Sequence, residues 1–412
     1  MYRSIILVFT FISIFSSLIY GQQKDIAYYI DALRANHPVI REYENEAKLS
    51  ELDNKKLKAG YRLPSVYVTA DLMKAPVIRG TGYDEAISNG ALYSTMVNAE
   101  QPILNSSLKA ETEKNNLQAT RSRYQGQLSL RELEKQVTDQ YIHCYTGQQH
   151  LTEAKRLRQL LIEQHNTGTA LAKSGILKAS DIILIEIELL NEDVHITELQ
   201  SQFSNDLNIL NGLCGLSDTV TVILDTIHIR LIQSDTSGGS FIYQFELDSM
   251  IAENSLKISA QKYKPQLSAF VNAGLNAIDP ENIHSNWGFS AGIDLKMNLF
   301  DGQQQKVNRQ QTLIQLETVD NFKRYFIIQR MQARQSLLKQ IESVDLEMSL
   351  AEKQLDKYRT LLNIYRQGII NGEVSVIDYL TIVRTYQKTS DEYLNYNQQI
   401  QSTINAYNYW NW

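Results

Sequence analysis

The sequence predicts a mixed α/β membrane protein. Long antiparallel helical hairpins join four membrane-type β-strands per chain, and the plan is written twice. Three observations predict it. First, the chain repeats: Pro64 opens Pro-Ser-Val-Tyr-Val-Thr-Ala, and Pro265 opens Pro-Gln-Leu-Ser-Ala-Phe-Val, 201 positions later. Gly175 stands six residues before Asp181, and Gly372 six before Asp378, an offset of 197. A period near 200 residues is too long for a solenoid repeat and reads as one duplicated module. Second, none of the six prolines falls between Ile103 and Lys264 or after Pro280. Proline breaks helix interiors, so those stretches are open to very long helices. Third, four segments alternate apolar with polar or small residues, the pattern of a strand with one apolar face.

The elements follow in order. Arg3 is a short basic start, Ile5 to Ile19 an apolar run, and Gly21 a small residue before Gln22. The run falls short of the roughly 20 apolar residues a spanning helix needs, so residues 1–21 read as a secretory signal cleaved after Gly21. Gln22 is not a cysteine, so no acyl anchor is implied. The first repeat runs over 22–211, with strands near 65–74 and 91–101 and a hairpin tip near 168–181. An intervening segment covers 212–242. The second repeat covers 243–412, with strands near 266–277 and 286–299 and a tip near 367–378. The long helices, from near Leu104 to His165 and from Gln303 to Tyr365, would each reach roughly 90 Å. In the second, Leu337, Ile341, Val344, Met348, Ala351, Leu355, Tyr358, Leu362 and Tyr365 step by four and three, a heptad seam. The matching seam of the first copy is weaker: Leu130, Leu133, Val137, Tyr141, Cys144 and Leu151.

The strands decide against a plain coiled-coil rod. Leu267, Ala269, Val271, Ala273 and Leu275 alternate with Ser268, Asn272, Gly274 and Asn276. Trp287, Phe289, Ala291, Ile293, Leu295 and Met297 oppose Gly288, Ser290, Gly292, Asp294 and Lys296. The first copy offers Val66, Val68, Ala70 and Leu72, then Tyr93, Val97 and Ala99. Such strands belong to transmembrane barrels, and four are too few to close one. Three chains supply twelve. The loops Val77 to Gly90 and Ile278 to Ser285 would face the cell exterior.

Here the chain resembles the TolC family of outer-membrane efflux ducts, from Asn36-His37-Pro38 to the last long helix. The residues that carry the resemblance are the strand-to-helix passage Leu299-Phe300-Asp301-Gly302 and the tips, Ser174 to Ile182 and Asn371 to Leu380. The resemblance implies a homotrimer with a 12-stranded β-barrel in the outer membrane of a Gram-negative bacterium. It implies a periplasmic α-barrel narrowed at the tips, where it meets a periplasmic adaptor (membrane fusion) protein and an inner-membrane pump. Gly175 and Gly372 can take positive φ and end the outgoing helices. Asp181 reads as a carboxylate complementing a helix N-terminus. Asp378 matches the acidic ring that lines the family's pore constriction. The family's second acidic position is Thr381 here, and its gate-locking Arg is Val374.

Other features narrow the function. The chain is acidic, with a formal net charge of −6, and carries no basic stripe for nucleic acid. It contains no Gly-rich phosphate loop, nucleophile elbow or metal-protease motif, so no enzyme, cofactor or metal is expected. His143, Cys144 and His150 read as buried or lumen-facing residues rather than as metal ligands. A height mismatch of roughly 15 Å along the hairpin argues against a Cys144–Cys214 disulfide. The tyrosines of the final helix (Tyr386, Tyr393, Tyr396, Tyr407) read as packing. The segment Gly212 to Gly239, with Val220, Val222, Ile223 and Leu224, matches the family's equatorial belt. The function expected is the exit duct of a tripartite efflux system, conducting passively. The alternatives are a duct for type I protein secretion and a periplasmic coiled-coil scaffold without a pore.

Overall fold

The chain enters its first helix through a cap: Asp25 accepts a hydrogen bond from the Tyr28 amide and opens α1 (Ile26–Asn36). Pro38 follows as the first residue of α2 (Pro38–Arg62), where its missing N–H costs nothing. These elements come from a computed structural model that describes residues 24–74, 81, 91–218, 222–232, 240–278 and 280–412. The expected signal peptide and its cleavage point lie outside the described residues, as does most of the Val77–Gly90 loop.

After α2 come β1 (Ser65–Lys74), β2 (Ala91–Leu104), α3 (Leu108–Lys173) and α4 (Ala179–Leu213). The second pass gives α5 (Tyr243–Gln261), β3 (Gln266–Ala277), β4 (Trp287–Lys296), α6 (Gln304–Ile370) and α7 (Val376–Trp410). The two proline-free stretches form helices of 66 and 67 residues. Contacts gather the described residues into two compact units: those within Met1–Ile40, Leu128–Ser240 and Ile327–Trp412, and those within Arg41–Gln127 and Phe241–Phe326. Each unit draws on segments from both the N-terminal and the C-terminal half of the chain.

The second unit holds the sheet, an antiparallel meander in the order β1-β2-β3-β4. Its register puts the apolar residues on one face. Val66 pairs with Ala99, Ala99 with Val271, and Val271 with Ala291. Val68, Val97, Ala273 and Phe289 form the next row. This face is bare: Leu72 is 82% exposed, Phe289 76% and Ile293 69%. Two strand ends differ from the sequence reading. β4 stops at Lys296 rather than near 299, because its partner β3 starts at Gln266, behind Pro265, which has no N–H to donate. β2 runs on to Leu104, with a register shift between Pro102 and Leu104 that accommodates the proline. The opposite face is less open than simple alternation suggests. A Cβ placed at Gly292 would lie 2.6 Å from the Phe270 ring, so that aromatic covers the glycine. Beside the sheet, edge-to-face Tyr124–Tyr243 packing and the Asn254 Nδ2 bond to the Ala110 carbonyl (2.9 Å) join α3 to α5.

The first unit holds two apolar clusters. One gathers Tyr29, Leu33, Val137, Tyr141, Phe203 and Leu210 with Val222, Leu224 and Ile227. The other gathers Leu157, Leu161, Ile185, Leu355, Leu362, Val376, Tyr379 and Tyr386. Every residue of the predicted α6 seam is buried or half-buried. Cys144 and Cys214 are free, and burial pushes each thiol up to about 12, which leaves it unreactive. Both sit in the first cluster, so the height mismatch estimated along the hairpin does not place them in separate cores.

Residues 222–232 take no regular secondary structure and contribute Val222, Leu224 and Ile227 to this cluster, with a single parallel bridge among the described residues, Lys24 to Leu224. Side-chain amides satisfy their backbone instead. Gln148 donates to the Leu224 carbonyl (3.0 Å) and accepts from its N–H (2.8 Å). Gln401 accepts from Ile229 N (2.7 Å), and Asn408 accepts from Ile232 N (2.9 Å) and donates to Arg230 O (2.8 Å).

Candidate gate at the helical-hairpin tips

Both hairpins turn through the same chemistry. At the end of α3, Gly175 takes φ +80; its N–H reaches Ala172 O (3.1 Å), and Ile176 N reaches Leu171 O (3.0 Å). At the end of α6, Gly372 takes φ +73; its N–H reaches Ile369 O (3.1 Å), and Glu373 N reaches Gly368 O (2.8 Å). Each pair of bonds closes the last helical carbonyls around a left-handed residue, a conformation glycine adopts without penalty.

The returning helices are capped differently. Asp181, third residue of α4, accepts from the Lys178 amide at 3.0 Å. This is the helix-terminal role read for it from the sequence. Asp378, third residue of α7, is exposed, and its amide donates to Ser375 Oγ (3.1 Å). That hydroxyl donates in turn to Asp378 Oδ2 at 2.6 Å. Thr381 is exposed one turn further, with its hydroxyl bound to Ile377 O (2.8 Å). Asp378 and Thr381 therefore lie on an exposed helix start, and both helix starts concentrate positive dipole.

Val374 has a structural task. It packs on the second cluster, and a Cβ at Gly368 would lie 2.4 Å from its Cγ2. A Cβ at Gly372 would meet Ile176 at 3.8 Å, so the two tips adjoin within one chain.

Above the tips, charge pairs tie the helices together. Arg384 of α7 makes a two-pronged bond to the buried Glu188 of α4 (2.9 and 2.6 Å). Tyr386 donates to Glu153 of α3 (2.8 Å) and accepts from Arg156 (2.9 Å). Burial raises the Tyr386 phenol, and it raises Tyr379 to about 12. His143 lies 3.2 Å from Asp206 and His150 2.7 Å from Asp391, while Cys144 is buried in the apolar cluster beside them. Glu192 is buried, and desolvation raises its carboxyl despite His195 at 3.6 Å. The residue spacing of a helix does not reveal Arg384–Glu188; only the pairing of α4 with α7 does.

The strand-to-helix passage belongs to the other unit. Asp301 accepts from the Tyr263 hydroxyl and from the Gln305 amide (2.8 Å), capping α6. Gly302 and Gln303 both take positive φ, +66 and +68. Phe300 is 83% exposed.

Strands with a bare apolar face lead into long, sharply turned helical hairpins. The outer membrane efflux protein family matches residues 242–406. The fold of nearly the whole chain is that of TolC-type outer-membrane factors. CusC has 13% identity over 94% of this chain and 92% of its own, with a TM-score of 0.73. The outer membrane protein VceC from Vibrio cholerae has 11% identity over 94% and 96%, with a TM-score of 0.71. The Campylobacter jejuni CmeC outer membrane channel has 12% identity over 94% and 85%, with a TM-score of 0.69. No curated relative matches the sequence. Among the described residues no helix is long and apolar enough to cross a membrane.

Proposed function

We propose that the chain forms a homotrimer whose twelve strands close a barrel in the outer membrane, and that it conducts solutes passively out of the cell as the exit duct of a tripartite exporter. The observation that carries this reading is the sheet. Its apolar face is exposed along β1 and β4 and uncovered at Val97 and Val271 of the half-buried central strands, and β1 and β4 each have one unpaired edge among the described residues. An open apolar edge is an aggregation hazard in water, and closure in lipid satisfies both the edge and the face. The helical hairpins extend as the periplasmic α-barrel. Asp378 lines the constriction, Gly175 and Gly372 set the turns, and Thr381 stands where a second acidic ring would sit. Three carboxylates around one axis favour cations. The tips take the adaptor, and an inner-membrane pump supplies the energy, so the duct itself needs no catalytic group. Mass measurement in mild detergent should give three chains, with heat-modifiable migration and conductance in planar bilayers. A monodisperse soluble monomer would falsify the proposal.

A further inference from the structure

We infer that the helix-side end of the sheet carries a cationic collar that binds the headgroups of anionic phospholipids in the leaflet the strands leave. The inference rests on the membrane reading above. In an antiparallel meander all four strand–helix passages fall at one end of the sheet: α2 into β1, β2 into α3, α5 into β3, and β4 into α6. Three of these carry excess positive charge although the whole chain is at −6. Lys58 and Arg62 precede β1, Lys262 and Lys264 precede β3, and Lys306 and Arg309 follow β4. All six are exposed, and no carboxylate of the described residues lies within ion-pair distance of any of them. Of the carboxylates at this end, Asp301 caps α6 and Glu113 takes Lys257 at 3.2 Å, while Glu100 and Asp294 lie on the strands themselves, opposite Ser65 and Ser268. At the other end of the sheet, Ile278 to Asn286 carries two carboxylates and no Lys or Arg.

The second observation is independent of charge. Bare apolar residues continue just past the strand ends here, with Leu63 64% exposed, Leu299 85% and Phe300 83%. Lysine and arginine stems lie well along an apolar margin while their heads reach outward. A band of bare hydrocarbon bordered by unpaired cations matches the order of a leaflet, acyl chains first and phosphates next. Clusters of this size beside a membrane segment bind acidic lipid, and salt weakens them.

The full-length protein is reconstituted into phosphatidylcholine vesicles containing phosphatidylglycerol, extracted in mild detergent, and its retained lipids counted by native mass spectrometry. Phosphatidylglycerol should be enriched about tenfold over its share of the bilayer at low salt and lose that enrichment at high salt. The combined variant Lys262→Gln, Lys264→Gln, Lys306→Gln, Arg309→Gln should still assemble, retain phosphatidylcholine and lose most of the enrichment. Equal retention of the two lipids by the wild-type protein overturns the collar, whatever the variant does. So does displacement of the lipid by millimolar inorganic phosphate, which would make the site one for free anions. A variant that alters ion selectivity of the pore while keeping its phosphatidylglycerol also overturns it, by placing these cations in the lumen. Failure to insert into pure phosphatidylcholine would instead sink the membrane reading itself, so the two failures are distinct.

Discussion

Ala291→Arg tests the membrane face where the register makes it most sensitive. Ala291 pairs with Val271, which pairs with Ala99, which pairs with Val66, so the four form one row across the sheet. β3 spans Gln266–Ala277 and β4 Trp287–Lys296, which puts that row at mid-strand. A charge at the bilayer midplane of a barrel costs about 2–4 kcal/mol per chain. That is a factor of roughly 30 to 1000 in the folded-to-unfolded ratio, at about 1.4 kcal/mol per decade. The comparison is Ser290→Arg, one residue away on the opposite face. Its principal loss is the hydroxyl bond to Asn272, about 1 kcal/mol. Gly292 cannot serve as that comparison, because any side chain there strikes the Phe270 ring. Urea unfolding in phosphatidylcholine vesicles, followed by heat-modifiable migration, measures both variants against the wild type. The Ala291 variant should lose at least about 1 kcal/mol more than the Ser290 variant. Equal losses, or a greater loss at Ser290, would refute the assignment of the apolar face to lipid.

Three further outcomes are expected. Asp378→Asn should lower cation preference and weaken block by multivalent cations in planar bilayers, while Asp181→Asn, a cap on the Lys178 amide, should change conduction little; the reverse result would make the first tip the gate. Gly368→Ala should destabilise the chain by about 1–3 kcal/mol in thermal melts through contact with Val374, and Val374→Ala in the same chain should recover most of it; no recovery would mean the glycine serves something other than that contact. Glu192→Gln should melt higher than wild type at pH 8, with the gap closing toward pH 5. Burial raises the Glu192 carboxyl, so its contribution to stability is present at low pH and lost as pH rises through the raised value; a gap that widens on acidification would oppose that account.

Much of the fold is legible because it obeys one-dimensional rules. The seam from Leu337 to Tyr365 has a period, and the structure buries that stripe. The strands alternate, and pairing lines up their apolar residues row by row. Gly175 and Gly372 announce the turns because no other residue takes that backbone cheaply. What escapes the sequence lacks a period. Alternation assigns Gly292 a face but not the volume of Phe270 that fills it. The Arg384–Glu188 pair spans 196 residues and depends on α4 meeting α7. The stretch containing Val222, Ile223 and Leu224 has the composition of a strand, yet among the described residues one bridge forms, to Lys24, and Gln148, Gln401 and Asn408 on helices take other backbone groups of the segment. A glutamine on a helix reads as solvated surface until the segment it serves is in place.

Those amides have a mechanical consequence. Gln148 grips both the N–H and the carbonyl of Leu224, and Asn408 grips Arg230 and Ile232 at once. Asn405 adds a direct link from α7 to the Lys135 carbonyl (3.0 Å) and Asp139 (2.9 Å) on α3. A peptide group held at both poles fits its partner at one axial setting only. Two helices fastened to the same ribbon in this way behave like rods in a toothed collar. Sliding either by one residue, about 1.5 Å, would unseat every tooth together, whereas bending or untwisting beyond the collar disturbs none. Motion at the tips is thereby steered toward flexing and away from piston-like displacement.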